Sequence, residues 1–368
     1  MEPGAGITAD ELGPAKTLRI HDARTGLEAI VVVDNVACGP AIGGVRMAAD
    51  VTVEEVARLA RAMTLKNAAA GLPHGGGKSG IIAEPGRPSA EKERLVRAFA
   101  RAIGSLTEYI PGPDMGTDEG CMAWVKDEIG RAVGLPRVLG GIPLDELGAT
   151  GWGIAIAAEV AAPEAGIALD GARLAIEGFG AVGQHAARFL GARGVRLVAA
   201  SDSRGAIHEP AGLPVDALIA HKRSGRPLAE FPGARAIARN ALLGVPCEIW
   251  VPAARPDTIT AENVAMLQAR LVIQGANIPA TGPAERWMAE HRILSVPDFI
   301  ANAGGVICAA IEYHGGTQAQ AFAAIEERIR ANTRETLERA RVKSGLPRDA
   351  ATRMARERVC EAMRYRRE

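Results

Sequence analysis

Gly178-Phe179-Gly180-Ala181-Val182-Gly183 follows an apolar run, Arg173-Leu174-Ala175-Ile176-Glu177, and precedes a segment with helical spacing from Gln184 to Leu190. A strand, a glycine turn and a helix in that order form the dinucleotide fingerprint: the glycines let a pyrophosphate approach the helix N-terminus, where free amides and the dipole favour anions. The next apolar run, Arg196 to Ala200, ends in Ser201-Asp202, and Asp202 lies 19 residues after Gly183. An acid about 20 residues on is placed to bond a ribose hydroxyl. The plain alternative, a glycine turn that binds nothing, lacks this context. A carboxylate repels a 2′-phosphate, so Asp202 favours NAD; Arg204 and Arg223 leave NADP open.

Reading outward, strand and helix keep alternating: Cys247 to Val251 with Pro252, Ala261 to Gln268, Arg270 to Ile273, Leu294 to Val296. This predicts an open, mostly parallel, doubly wound α/β sheet, entered through a small-residue helix, Gly151 to Ala162. Upstream, Leu18-Arg19-Ile20 and Leu27 to Val33 read as strands joined by the turn Asp22 to Gly26. Thr52 with Glu55 is a capping-box signature, and Val56, Leu59, Ala60 and Met63 then keep helical spacing. A second helix begins near Ser89 with Leu95, Phe99 and Ile103. Pro111-Gly112-Pro113 breaks the next segment and presents Asp114 on a loop. The result is two α/β domains, a substrate and oligomerisation domain over 1–148 and a Rossmann-type domain over 149–316. Residues 317–368 form C-terminal helices. Among them Ala319 to Arg341 is amphipathic, and either crosses back to the first domain or completes the core of the second.

The bulk numbers narrow the function. The chain has 368 residues, with 43 Lys+Arg against 43 Asp+Glu, so its net charge is zero. That argues against a general nucleic-acid or anionic-membrane role. The basic Arg353-Met354-Ala355-Arg356-Glu357-Arg358 and Arg364-Tyr365-Arg366-Arg367 read as solvated helix faces. Five scattered cysteines in apolar surroundings suit reduced thiols in a cytoplasmic protein. Seven histidines show no metal spacing, so no metal is expected. Met1-Glu2-Pro3-Gly4 shows no targeting pattern, and no apolar run approaches the ~20 residues of a bilayer span.

Two lysines carry the chemistry. Lys66 lies in Met63-Thr64-Leu65-Lys66-Asn67-Ala68, near a helix end, and Lys78 in the glycine turn Pro73-His74-Gly75-Gly76-Gly77-Lys78-Ser79-Gly80. A triphosphate loop is rejected, because Leu72 stands where that motif needs glycine. Taken singly, Lys66 is a solvated helix position, Lys78 a surface lysine and Asp114 a cap for a helix near Asp118. Together they offer an anion clamp, a base and a proton shuttle. Burial lowers an ammonium's pKa toward roughly 7–8, where it acts as a base. Gly39 to Arg46 is another small-residue loop, and Asn302-Ala303-Gly304-Gly305-Val306 a further one near the cofactor crevice.

These segments together resemble the glutamate/leucine/phenylalanine/valine dehydrogenase family, from about residue 10 to about 340. Gly43-Gly44-Val45-Arg46 is similar to its first glycine loop, and the Lys66 segment to its substrate-carboxylate site. Gly75-Gly76-Gly77-Lys78 is similar to its catalytic lysine segment, and Gly112-Pro113-Asp114 to its catalytic aspartate loop. Thr150 stands where the family contacts the nicotinamide amide. Ala253, Ala254, Asn277 and Asn302 match cofactor-crevice turns. The resemblance implies NAD-dependent oxidative deamination of an L-amino acid to a 2-oxo acid and ammonia. Lys66 would hold the carboxylate. Lys78, kept partly neutral by burial and the Lys66 charge, would be the base, and Asp114 would shuttle protons, with Gly43, Gly44, Ile42, Pro113, Asn302, Val306 and Ala309 around the substrate. Domain closure would then exclude water. Members that take glutamate place a lysine at the Ile42 position and a serine at that of Ala309. The apolar pair here points to an aliphatic, branched amino acid, because an apolar pocket desolvates a second carboxylate at high cost. Glutamate as substrate, or a silent nucleotide or amino-acid sensor on the same fold, are the alternatives. The family also implies a homo-oligomer, a hexamer or an octamer. Gln274 stands where many members carry glutamate.

Overall fold

The computed structural model describes residues 9–343 and 345–366. The readings made at Met1 to Gly4 and at Arg367 lie outside them. Two compact units emerge: Met1–Pro143 with Val306–Ala321 and Arg353–Glu368, and Leu144–Gly305 with Phe322–Thr352.

The first unit carries β1 (Lys16–Asp22), β2 (Leu27–Asn35), β3 (Ala41–Ala48), α1 (Val53–Ala69), β4 (Gly75–Ile82), α2 (Ser89–Ala102), β5 (Tyr109–Pro113) and α3 (Glu119–Ile129). Its sheet runs β1-β2-β4-β3-β5, antiparallel through β1, β2 and β4 and parallel through β4, β3 and β5. The Thr52 hydroxyl accepts the Glu55 amide at 3.2 Å, as the capping box predicts.

Three expectations are corrected here. Gly75-Gly76-Gly77-Lys78 is not a turn but the start of β4, a central strand. A Cβ on Gly76 would strike the Thr64 backbone nitrogen of α1, and one on Gly77 would lie 2.9 Å from the Tyr109 ring. These glycines mark close approach of neighbours, not chain reversal. Likewise Gly43 to Arg46 is strand β3, with Gly43 pressed on the Gly77 carbonyl. Pro111-Gly112-Pro113 does not break its segment but lies within β5. Because β5 is an edge strand, its prolines leave no internal ladder bond unmade. Asp114 follows directly, outside the strand, as expected.

The second unit begins with α4 (Leu144–Leu147) and α5 (Ala149–Glu164), then β6 (Arg173–Glu177), α6 (Ala181–Gly191), β7 (Arg196–Asp202), β8 (Gly205–His208), α7 (Val215–Arg223), β9 (Arg235–Ile237), β10 (Ile249–Pro252), β11 (Leu271–Ile273), α8 (Gly282–Glu290), β12 (Leu294–Val296) and α9 (Asp298–Ala301). The sheet order is β12-β11-β10-β6-β7-β8-β9. Strands β12 to β7 are parallel, and the chain switches sides between β6 and β10; β8 and β9 add an antiparallel edge. The sequence reading gave no sign of that edge. The helix expected over Ala261 to Gln268 shrinks to one 3-10 turn, Val264–Met266. There the Asn263 side chain accepts the Thr260 amide and donates to the Thr258 carbonyl, diverting backbone groups from a helical ladder.

Three helices follow: α10 (Gly304–Tyr313), α11 (Gln318–Val342) and α12 (Pro347–Met363). The expected loop at Gly304-Gly305-Val306 is therefore the first turn of α10. A Cβ on Gly304 would meet the Ala149 carbonyl, so glycine lets this turn lie against the start of α5.

Candidate active site

Within the first unit, Lys78 and Asp114 meet. The Lys78 ammonium lies 2.9 Å from Asp114 Oδ2 and is only 6 % exposed. Arg46 donates through Nε to the same oxygen at 2.9 Å, and its other arm reaches Glu55 at 2.5 Å. Glu55 thus turns to Arg46, while its amide serves the Thr52 cap. Gly44 leaves the space for this cluster: a Cβ there would lie 2.8 Å from Asp114 Cβ and 3.0 Å from Lys78 Nζ. The alternative role of Asp114 as a helix cap does not hold, because Asp118 caps α3 by accepting the Cys121 amide at 2.9 Å.

Burial pushes the Lys78 ammonium below its ordinary pKa. Asp114 opposes that shift, and the positive charge of Arg46 adds to it. Burial pushes Asp114 up, but the Lys78 and Arg46 charges outweigh it and hold the carboxyl below the usual carboxylate range. Arg46 and Glu55 were missed as functional residues. In the sequence Arg46 stands at the end of a glycine-rich stretch and Glu55 completes a capping box, so neither reads as functional. The signal for Arg46 was its place two residues after Gly44, on the same face of β3.

Lys66 is half-buried in the last turn of α1, a helix tied to β4 by the Asn67 amide donating to the Gly75 carbonyl at 2.7 Å. Ile42 sits in β3, 4 % exposed, and Ala309 in α10, 8 % exposed; Val306 is half-buried one helical turn before Ala309. On the paired strands β3 and β5, Gly43 lies opposite Pro111 and Val45 opposite Pro113.

In the second unit the fingerprint folds as its spacing predicts. Gly178 and Phe179 donate their amides to the Ser201 carbonyl, joining the turn to the end of β7. Gly178 has φ of +91°, and a Cβ there would press on the backbone of Ala253 and Ala254. Gly183 packs on the Gly178 carbonyl. Helix α6 starts at Ala181 behind Gly180, Val182 sits in its first turn, and no side chain caps it among the described residues. Its first amides therefore have no side-chain acceptor among the described residues. Asn302 donates to Asn277 Oδ1 at 3.1 Å and to the Gly275 carbonyl at 3.2 Å, while its own Oδ1 is buried with no partner among the described residues. An uncapped helix start at the switch of strand order, glycines that a Cβ would block and an orphaned acceptor fit a dinucleotide. Thr150 lies in the first turn of α5, its hydroxyl beside Gly305. Asp202 ends β7, but its carboxylate is already engaged: Lys222 donates to Oδ2 at 2.6 Å and the Arg204 amide to Oδ1 at 2.8 Å. Lys222 was not singled out in the sequence.

Gln274 is fully buried in a polar cluster. It donates to Glu285 at 2.8 Å and to Ser295 at 3.0 Å, and accepts from Arg348 at 2.7 Å. Arg348 also pairs with Glu285 and Asp298 at 2.8 Å each. One guanidinium between two buried carboxylates leaves a negative charge uncompensated, and a glutamate at 274 would add another.

Comparison with known proteins gives these clusters a family. A family model described as Glutamate/Leucine/Phenylalanine/Valine dehydrogenase matches residues 140–367, and one described as Glu/Leu/Phe/Val dehydrogenase, dimerisation domain, matches residues 14–131. A glutamate dehydrogenase of Aeropyrum pernix is 37 % identical, covering 90 % of this chain and 85 % of that protein. An NAD-specific glutamate dehydrogenase of Staphylococcus aureus is 38 % identical, covering 83 % and 76 %. Among solved structures, the hetero-hexameric glutamate dehydrogenase of Thermus thermophilus, in a leucine-bound form, aligns with a TM-score of 0.84 at 31 % identity, covering 96 % and 90 %. L-tryptophan dehydrogenase of Nostoc punctiforme aligns with a TM-score of 0.75 at 26 % identity, covering 96 % and 98 %. The chain therefore belongs to the glutamate/leucine/phenylalanine/valine dehydrogenase family and is an amino-acid dehydrogenase.

Proposed function

We propose that the protein catalyses the reversible, NAD(P)-dependent oxidative deamination of an apolar, branched aliphatic L-amino acid to its 2-oxo acid and ammonia. The observation that carries this reading is the buried Lys78–Asp114–Arg46 cluster, together with buried apolar side chains at Ile42 and Ala309. A substrate side-chain carboxylate would need a cation there, and Ile42 supplies none. Nicotinamide dinucleotide, held by the fingerprint turn, Thr150 and Asn302, would take a hydride from the substrate Cα.

The remaining steps belong to this chain. Lys66 pairs with the substrate carboxylate. Lys78, favoured in its neutral form by burial and Arg46, takes a proton from the water that attacks the substrate iminium. Arg46 and Lys78 both bind Oδ2 of Asp114, which leaves Oδ1 to exchange protons with the amine. Gly43, Gly44 and Pro113 keep the backbone close enough for a small substrate. Val306 and Ala309 bound its side chain. The purified protein, assayed for NADH and NADPH absorbance with an amino-acid panel, tests the reading. Lys78→Ala should lose about 10²–10⁴-fold in kcat, the usual contribution of a general base.

Glutamate is the second reading, favoured by the names of the relatives at 37–38 % identity. It would need a cation other than residue 42 at the distal carboxylate. Glutamate outcompeting leucine and valine in the panel would establish it. The chain is further proposed to assemble as a homo-oligomer, a hexamer or an octamer. The hexameric relative of Thermus thermophilus supports this, and light scattering tests it. A reducing, cytoplasmic setting is in keeping with its five free cysteines. Among the described residues no helix is long and apolar enough to cross a membrane.

A further inference from the structure

Asp202 stands where a carboxylate meets the adenosine ribose, and an unpaired acid there accepts from the 2′-hydroxyl and repels a 2′-phosphate. Here the acid is not unpaired. It is 8 % exposed, with Lys222 Nζ on Oδ2 at 2.6 Å and the Arg204 amide on Oδ1 at 2.8 Å. Lys222 comes from the last turn of α7, beside Arg223. Arg204 braces the end of that helix: its guanidinium donates to the Gly225 carbonyl at 2.8 Å and the Arg226 carbonyl at 3.0 Å. The Lys222 ammonium is therefore held in place rather than swinging in solvent. An ammonium carries three donors, and Asp202 uses one.

The charges decide the matter. Carboxylate and ammonium at 2.6 Å cancel as seen by a third group, so the repulsion expected from Asp202 is removed at its source. Arg204 remains as a second positive charge acting on Asp202. The same pairing weakens Asp202 as an acceptor for a ribose diol, because its two oxygens already serve other donors.

We propose that Lys222 is the residue that sets cofactor choice: by neutralising Asp202 and offering its remaining donors to a 2′-phosphate, it makes the protein accept NADP⁺ as well as NAD⁺. The inference rests on the NAD(P) reading above. It is tested by binding rather than turnover, using titrations of NAD⁺ and NADP⁺ followed by calorimetry. The parent protein should bind both. Lys222→Met, of similar length without the charge, should weaken NADP⁺ by about tenfold or more, the worth of one charged hydrogen bond, and leave NAD⁺ equal or tighter. Lys222→Arg should retain NADP⁺. Lys222→Gln serves if the methionine variant does not fold, and the same loss of NADP⁺ is expected of it. A parent that binds NAD⁺ but not NADP⁺, or a ratio of the two dissociation constants indifferent to Lys222, overturns the proposal while leaving the dinucleotide reading intact. A parent that binds neither sinks that reading and this proposal with it.

Discussion

A methyl group added at Gly44 probes the site without removing any functional atom. In Gly44→Ala the new carbon would lie 2.8 Å from Asp114 Cβ, 3.0 Å from Lys78 Nζ and 3.0 Å from the Pro113 carbonyl. Ordinary contact begins at 3.4 Å, so Asp114 must yield about 0.6 Å and Lys78 about 0.4 Å. The Pro113 carbonyl belongs to the backbone of β5 and gives little, so the displacement falls on the two side chains that pair at 2.9 Å. A misplacement on the scale of 1 Å at reacting groups costs about 10²-fold in rate, and overpacking costs about 1–3 kcal/mol of stability. The expected result is a folded protein with a urea midpoint modestly lowered and kcat down by about two orders of magnitude. Gly86→Ala is the control, since nothing lies within 4 Å of its would-be Cβ. Steady-state kinetics with the best amino acid of the panel reads the effect. If Gly44→Ala keeps kcat close to the parent while folding normally, the Lys78–Asp114 pair is not where the chemistry happens.

Arg46→Met removes a positive charge that lowers the Lys78 pKa; Lys78 then holds its proton to higher pH, and the acidic limb of the deamination pH profile should move upward, read from kcat/KM against pH. His74 is buried against His314, its ring nitrogens 3.1 Å apart, and burial, then the His314 charge, hold it below its ordinary value of 6.5. The unfolded chain binds the proton first, so stability should fall as pH drops below about 6.5, and His74→Gln should flatten that slope in thermal melts. Arg348→Met strands Glu285 and Asp298 as buried carboxylates, and chemical denaturation should show a loss of about 3–5 kcal/mol.

What the sequence made legible depended on whether the cause lay nearby in the chain. The strand, glycine turn and helix from Arg173 to Leu190, the Thr52 cap and the position of Asp202 at the end of β7 have local causes, and the fold follows their reading. The triple glycine before Lys78 has a distant one. Glycine in a row reads as a turn, yet here it answers to the Thr64 backbone and the Tyr109 ring, neither of which lies within the run. The partners of Asp114 and Asp202 follow the same rule. Arg46 lies 68 residues before Asp114 and Lys222 lies 20 after Asp202, and only the folded sheet brings each pair together. Lys78 with Asp114 was legible because each sits in a motif that implies a role for it, whereas Arg46 only closes a glycine-rich stretch and Lys222 had only its charge.

The claim at the centre is that an apolar side chain, not a second carboxylate, fills the space beside Ile42 and Ala309. The most direct test is kcat/KM for leucine, valine, glutamate and phenylalanine, each with NAD⁺ and NADP⁺, on the purified chain. The account predicts the branched aliphatic amino acids at the top and glutamate well below them, by the several kcal/mol that an unpaired carboxylate loses in an apolar pocket. Glutamate as the preferred substrate, or no turnover with any amino acid, would contradict it.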